Sequence, residues 1–234
     1  MNIGDKTWEK TIQEGLSAFG LGINDKQLNQ LTCFANELIK WNQIINLTRI
    51  TKPEDIAIKH MIDSMIPCSY VPESSELIDM GSGAGFPGIP MKILFPSYKV
   101  HLIDSSIKKI RFLEHVIQHL SIDHIDVVHS RGELLSSKRF TGDVIISRAF
   151  SDLSHFVQVS YPLLNPNGKL IAMKGKPPVE EINAFCSVTH RKKTKHNYAA
   201  CLHYFLKTYE LPYSLDARSL VILSKKLHED AKLT

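Results

Sequence analysis

The sequence predicts an α/β protein with a seven-stranded, mostly parallel, doubly wound sheet and a helical N-terminal extension. Three observations predict it. From residue 5 to about 66, apolar residues recur at three- and four-residue steps. From residue 76 onward, short apolar runs alternate with segments of helix length. Directly after the first of those runs stands the string Asp79-Met80-Gly81-Ser82-Gly83-Ala84-Gly85-Phe86-Pro87, a carboxylate at a strand end followed by alternating glycines, as a Rossmann-like sheet presents backbone to a nucleotide-bearing cofactor.

In the N-terminal part, Leu28, Leu31, Phe34, Ala35, Leu38 and Trp41 fall along one helical face, packing on a neighbouring helix or on the later sheet. Pro53, followed by Glu54 and Asp55 and with Thr51 near the cap, opens a further helix to about Ile66, with Ile58, Met61, Ile62 and Met65 on one side. Pro67 and Pro72 mark a linker. The division expected is a helical extension over 1–72, packed on a sheet domain over 73–234.

The strand candidates are 76–80, 99–103, 125–129, 143–147, 169–174, 204–210 and 220–224, with crossover helices at 107–120 and 153–164. Right-handed crossovers make the first five strands parallel. A short connection through Pro212 makes the last two an antiparallel hairpin.

Composition narrows the function classes. No apolar run approaches the ~20 residues that span a bilayer, and an N-terminus carrying Asp5, Lys6, Glu9, Lys10 and Glu14 lacks the apolar core of a signal peptide. The expectation is a cytoplasmic protein with no membrane partner. Cys33, Cys68, Cys186 and Cys201 show no CxxC spacing, so no metal is expected and the thiols read as reduced and buried. The net charge of +4 is C-terminal: residues 164–234 hold 12 basic against 6 acidic residues. The densest run, Arg191-Lys192-Lys193-Thr194-Lys195-His196, is either a solvated turn or a surface for phosphate.

Two cofactors compete for the glycine loop. Gly83-Ala84-Gly85-Phe86-Pro87-Gly88 matches GxGxxG, and Asp104 lies 21 residues beyond Gly83, where a dinucleotide fold places its ribose carboxylate. Asp79 opposes that reading, because a pyrophosphate at the loop would meet like charge. The sulfonium and ammonium groups of S-adenosyl-L-methionine would meet opposite charge instead. Pro87 further removes one backbone donor from any phosphate cradle. Asp104 can accept ribose hydroxyls from either cofactor, and both carboxylates can alternatively cap a helix or a turn.

Further along, Arg131-Gly132-Glu133 follows the third strand, where the Gly132 backbone and the Glu133 carboxylate can meet an adenine edge; a surface turn is the other reading. Ser147-Arg148-Ala149-Phe150 follows the fourth strand and Lys174-Gly175-Lys176 the fifth, at the carboxyl ends where ligands of open sheets bind. An arginine directly beyond an apolar strand is costly to bury without an anionic partner, which favours a site role for Arg148. His60 and Asp63, three apart on one helical face, form either a packing hydrogen bond or a substrate contact.

These strings, with LIDMGSGAGFPGIP, Asp104-Ser105, Trp41-Asn42, Ile45-Asn46-Leu47-Thr48, His60-Met61-Ile62-Asp63-Ser64 and Arg218-Ser219-Leu220-Val221-Ile222, closely resemble the ribosomal small-subunit methyltransferase G family, also called glucose-inhibited division protein B. The resemblance runs from about residue 38 to 225. It implies a class I S-adenosylmethionine-dependent methyltransferase fold and methyl transfer to N7 of a guanine in 16S ribosomal RNA, free or in a small-subunit precursor. By motif it implies cofactor contacts from Gly81, Phe86, Gly132, Glu133 and Arg148, which join Asp79, Gly83, Gly85 and Asp104, read from the loop and strand ends themselves, as the cofactor-binding candidates. The family commonly has alanine where this chain has Gly132. A backbone contact survives that change.

Guanine N7 carries an in-plane lone pair and no proton at neutral pH, so no catalytic acid or base is expected. Arg131, Arg148 and Lys174, cationic and at one sheet edge, are the substrate-positioning candidates on the guanine side. Two other classes stay open at this stage: an NAD-dependent oxidoreductase, and a cofactor-binding ribosome assembly factor without methyl transfer.

Overall fold

A computed structural model describes residues 1–148, 150, 152–189 and 198–225. The basic run at 191–196 lies outside them.

Helix α1 (Lys6–Ser17) starts where the Asp5 carboxylate accepts the Trp8 amide at 2.8 Å. It buries Trp8, Ile12 and Leu16, and the Trp8 indole donates to the Pro53 carbonyl at 3.2 Å. Helix α2 (Asp25–Ile45) opens with a reciprocal cap between Asn24 and Gln27. The Gln27 amide also donates to the carbonyls of Ile93 and Leu94 at 3.0 and 2.7 Å, satisfying orphan acceptors at the end of α4 (Gly88–Leu94).

Between them, α3 is a continuous helical segment over 53–70. It runs as α-helix at Pro53–Asp55, widens to a π-helix at Ile56–Ile62, returns to α at Asp63–Met65 and tightens to a 3₁₀ turn at Ile66–Tyr70. The expected start at Pro53 is present, but Lys52 occupies the cap with no side-chain bond. The helix carries through Pro67, which falls in the first positions of the 3₁₀ turn.

Seven strands follow: β1 (Glu76–Met80), β2 (Lys99–Asp104), β3 (Ile125–His129), β4 (Gly142–Ser147), β5 (Leu164–Lys174), β6 (Leu202–Glu210) and β7 (Ala217–Lys225). Helices α5 (Ile107–Leu120), α6 (Leu153–Ser160) and α7 (Val179–Thr189) complete the layers. The sheet order is β3-β2-β1-β4-β5-β7-β6. The first five strands pair in parallel, and β7 is antiparallel to both β5 and β6. The hairpin is the one expected, but its second strand lies inside the sheet and its first on the edge.

The sheet divides two apolar layers. Trp8, Phe34, Met61, Phe86, Leu102 and Phe112 share one cluster, which joins the N-terminal helices to α4, α5 and one sheet face. Ile78, Ile103, Phe156 and Leu223 belong to the other, under α6 and α7. On β1, Leu77 packs into the first cluster, and Ile78 and Met80 into the second. Two-residue alternation therefore turns Asp79 toward the layer of the N-terminal helices.

The thiols depart from expectation. Cys68 is buried, but Cys33 and Cys201 are exposed and Cys186 is half-buried; Cys33 lies on α2, whose buried face is filled by Leu28, Leu31, Phe34, Ala35 and Leu38. Among the described residues no helix is long and apolar enough to cross a membrane, and no cluster of three metal-type ligands occurs.

Candidate cofactor and substrate site

The glycine loop folds back on its own backbone. Gly81 and Ser82 both donate their amides to the Ile103 carbonyl at 2.9 Å, and Gly85 and Phe86 donate to the Ser82 carbonyl at 2.8 and 3.0 Å. The Gly83 amide donates to Asp104 Oδ2 at 2.9 Å, and the Gly88 amide to Asp79 Oδ2 at 2.9 Å. Gly81 and Gly83 hold φ of 77° and 59°, left-handed values that a side chain would strain. With Pro87 lacking a donor, nearly every loop amide is spent inside the protein. Such a loop has little to offer a pyrophosphate.

Both carboxylates that flank the loop support its backbone. Asp104 accepts Ser106 N–H on Oδ1 at 2.8 Å as well as Gly83 on Oδ2, and each oxygen keeps a further lone-pair position. Asp79 is 0% exposed, and its Oδ1 has no hydrogen-bond partner. Burial pushes its pKa up to about 7, against the Gly88 hydrogen bond and the Arg148 charge, which pull it down.

Two cavities open at the carboxyl ends of the strands. The first, about 380 Å³, is lined by Gly81, Asp104, Arg131, Gly132, Glu133 and Phe150 among others, a volume in the range of small-molecule sites. Glu133 Oε1 accepts from His155 Nε2 at 3.1 Å. At Gly132 an added Cβ would stand 2.6 Å from Val159 Cγ1 and 2.8 Å from Met80 Sδ, so any side chain here requires those two neighbours to shift. Glycine backbone, two carboxylates and one arginine are a donor set for a ribose, an adenine edge and a cationic chain. They fit S-adenosyl-L-methionine.

The second cavity, about 360 Å³, is lined by His60, Asp63, Arg148, Lys174, Gly175 and Arg218 together with Ile50, Lys59 and Met173. Of the three cations expected on the guanine side, Arg148 and Lys174 stand here, whereas Arg131 stands in the wall of the first cavity. Lys174 Nζ donates to the Phe150 carbonyl at 3.0 Å and pairs with Glu181 Oε1 at 2.7 Å.

Arg148 is half-buried, and no carboxylate among the described residues stands at ion-pair distance from it. Its Nη1 donates to the Lys59 carbonyl at 3.1 Å, its Nη2 to His60 Nδ1 at 3.2 Å, and its guanidinium lies 5.1 Å from the centre of the Phe86 ring. A guanidinium only donates, so Nδ1 of His60 is an acceptor and the ring proton sits on Nε2, which donates to Thr48 Oγ1 at 2.9 Å. Burial, assisted by the Arg148 charge, lowers the His60 pKa to about 3 and keeps the ring neutral. His60 and Asp63 do not bond each other. Asp63 instead accepts from Tyr209 Oη at 2.9 Å and Arg218 Nε at 3.4 Å; burial raises its pKa, and Arg148 and Arg218 oppose the rise.

Thr48, Lys59 and Tyr209 thus enter the site without having been singled out as site residues from sequence. A π-helical turn, which no residue pattern in the sequence announces, widens α3 where Lys59 and His60 meet Arg148, and such turns cluster at functional sites.

A sheet in the order 3-2-1-4-5-7-6, with an antiparallel seventh strand and a glycine loop after the first, is the class I methyltransferase fold. A methyltransferase structure from Pyrococcus furiosus superposes with a TM-score of 0.56 at 13% identity, covering 85% of this chain and 99% of that one. A SAM-dependent methyltransferase from Aquifex aeolicus gives 0.52 at 17% identity, over 74% of this chain and 94% of that chain. The family model described as rRNA small subunit methyltransferase G matches residues 27–205. Relatives named ribosomal RNA small subunit methyltransferase G are 39% identical in Geobacter sulfurreducens, over 91% of this chain and 95% of theirs, and 34% identical in Bacillus cytotoxicus, over 92% and 89%. The chain belongs to the rRNA small subunit methyltransferase G family.

Proposed function

We propose that this chain transfers the methyl group of S-adenosyl-L-methionine to N7 of a guanine in 16S ribosomal RNA, free or in a small-subunit precursor, in the cytoplasm. The observation that carries the reading is the family match over residues 27–205. The loop chemistry supports the cofactor, since its amides are committed internally rather than held for a phosphate.

In this reading Asp104 takes the ribose hydroxyls, Glu133 and the Gly132 backbone take the adenine edge, and Gly81 lies along the cofactor. Asp79, Gly83 and Gly85 hold the loop, and Phe86 with Arg148 closes it toward the second cavity. Arg148 and Lys174 stand on the base side, and Arg131 is an exposed cation on the rim of the first cavity. S-adenosyl-L-methionine held by these residues would supply an electrophilic methyl for the N7 lone pair, with the S–C electron pair left on sulfur and the positive charge on the purine. No proton moves, so the residues act by alignment and by electrostatics.

The test is a map of N7-methylguanine in ribosomal RNA from cells with and without the protein, read by chemical cleavage at the modified base. One position should vanish without it. An unchanged map overturns the reading.

A further inference from the structure

We propose that Asp63, with Arg218 beside it, reads the Watson–Crick edge of the target guanine; this rests on the N7-methylation reading above.

Asp63 is a carboxylate 3% exposed that nevertheless forms part of the wall of the second cavity. Among the described residues it has two donors, the Tyr209 hydroxyl on Oδ1 and the distant Arg218 Nε on Oδ2, for a group that offers about four lone-pair positions. Each oxygen thus has one partner and a further lone-pair position. Arg218 is held through its Nη1 on the Ala217 carbonyl at 3.0 Å, with Nη2 3.8 Å from Asp216 Oδ2, and a guanidinium has five N–H donors. Side by side, the pair presents two acceptors and then a donor.

That order complements guanine. The base shows adjacent donors at N2 and N1 and an acceptor at O6, so both N–H groups point at the carboxylate and O6 at the guanidinium. Adenine would aim the N1 lone pair at the carboxylate, acceptor against acceptor, and its 6-amino donors at the guanidinium. A base held by this edge leaves its N7 edge free. Methylation also makes the purine positive and its N1–H more acidic, so the bond to Asp63 strengthens as the methyl transfers, which is the condition for raising kcat as well as affinity.

The test compares guanosine- and inosine-containing small-subunit ribosomal RNA, inosine lacking only the 2-amino group, with wild type and Asp63→Asn. Wild type should lose about tenfold to a hundredfold in kcat/KM on inosine, the range for one hydrogen bond to a buried charged group left unmade. Asp63→Asn should be slow on both and discriminate several-fold less, with thermal melting confirming that it folds. Equal rates of wild type on the two RNAs overturn the proposal without touching the methyltransferase reading, and so does full discrimination by Asp63→Asn. Absence of any methyl transfer by wild type overturns the underlying reading instead.

Discussion

His60 lies flat on Phe86, ring centroids 4.3 Å apart and planes 9° from parallel. The contact joins the π-helical turn of the N-terminal segment to the tip of the glycine loop, and the Arg148 guanidinium approaches the same Phe86 ring. The loop is thus supported by a helix that precedes the sheet, as well as by its own strand.

Phe86→Ala should therefore both destabilise and weaken cofactor binding. A buried phenylalanine replaced by alanine costs about 3–5 kcal/mol. Urea unfolding measures the first effect, and calorimetry with S-adenosylhomocysteine the second. Stability within about 1 kcal/mol of wild type would mean that the stack supports nothing.

Gly132→Ala tests the steric reading of the cofactor wall. The relevant neighbours are Val159 Cγ1 at 2.6 Å, on a stiff β-branched side chain, and Met80 Sδ at 2.8 Å, on a flexible one. Overpacking here should cost about 1–3 kcal/mol, and Val159→Ala should recover much of it in the double variant. Additive losses, measured by thermal melting of all four proteins, would contradict the clash.

Asp79 predicts an unusual pH dependence. Its folded pKa of about 7 lies above the ordinary 3.8, so between those values the native state binds more protons than the unfolded one, and this group's contribution falls as pH rises from about 4 to 7. Asp79→Asn can keep the Gly88 hydrogen bond through its carbonyl and carries no charge. It should gain stability relative to wild type at pH 8 and much less at pH 5, in denaturant titrations at both.

His60 works in the opposite sense. With a folded value of about 3 against 6.5, the unfolded state binds the extra proton between those values, and stability is lost as pH falls from about 6.5 toward 3. His60→Gln should flatten that acid limb in a melting series. An unchanged limb would place the acid sensitivity elsewhere.

Arg148→Ala should reduce both RNA methylation and RNA affinity by at least about tenfold, and Arg148→Lys should recover little, because two N–H contacts and a ring contact need the planar fork. Tritiated methyl incorporation and filter binding supply the two measurements.

Much of this was legible in the chain. The seven strands fall within a few residues of the apolar runs, because a buried strand has little freedom in where its apolar residues lie. The loop announced itself through glycines and a proline. What sequence did not convey was direction and distance. The Asp79 side chain turns under the loop, into the layer of the N-terminal helices, by the same two-residue alternation that buries Leu77. Arg148 meets His60 across 88 residues of chain, and Asp63 meets Arg218 across 155; no local pattern encodes such a pairing. Cations that share a sheet edge by topology also separate into two cavities only once the turns between them are built, as Arg131 does from Arg148 and Lys174.

The order of the last two strands has a consequence for synthesis. Because β7 is made after β6 yet lies between it and β5, a growing chain carries an open β5 edge and a homeless β6 until residues 217–225 have emerged. Arg218 arrives with that strand, so the wall of the second cavity and the closing of the sheet are one late event: a chain cut short before β7 would have the glycine loop but no finished second cavity, and an exposed edge with which to stick to its neighbours.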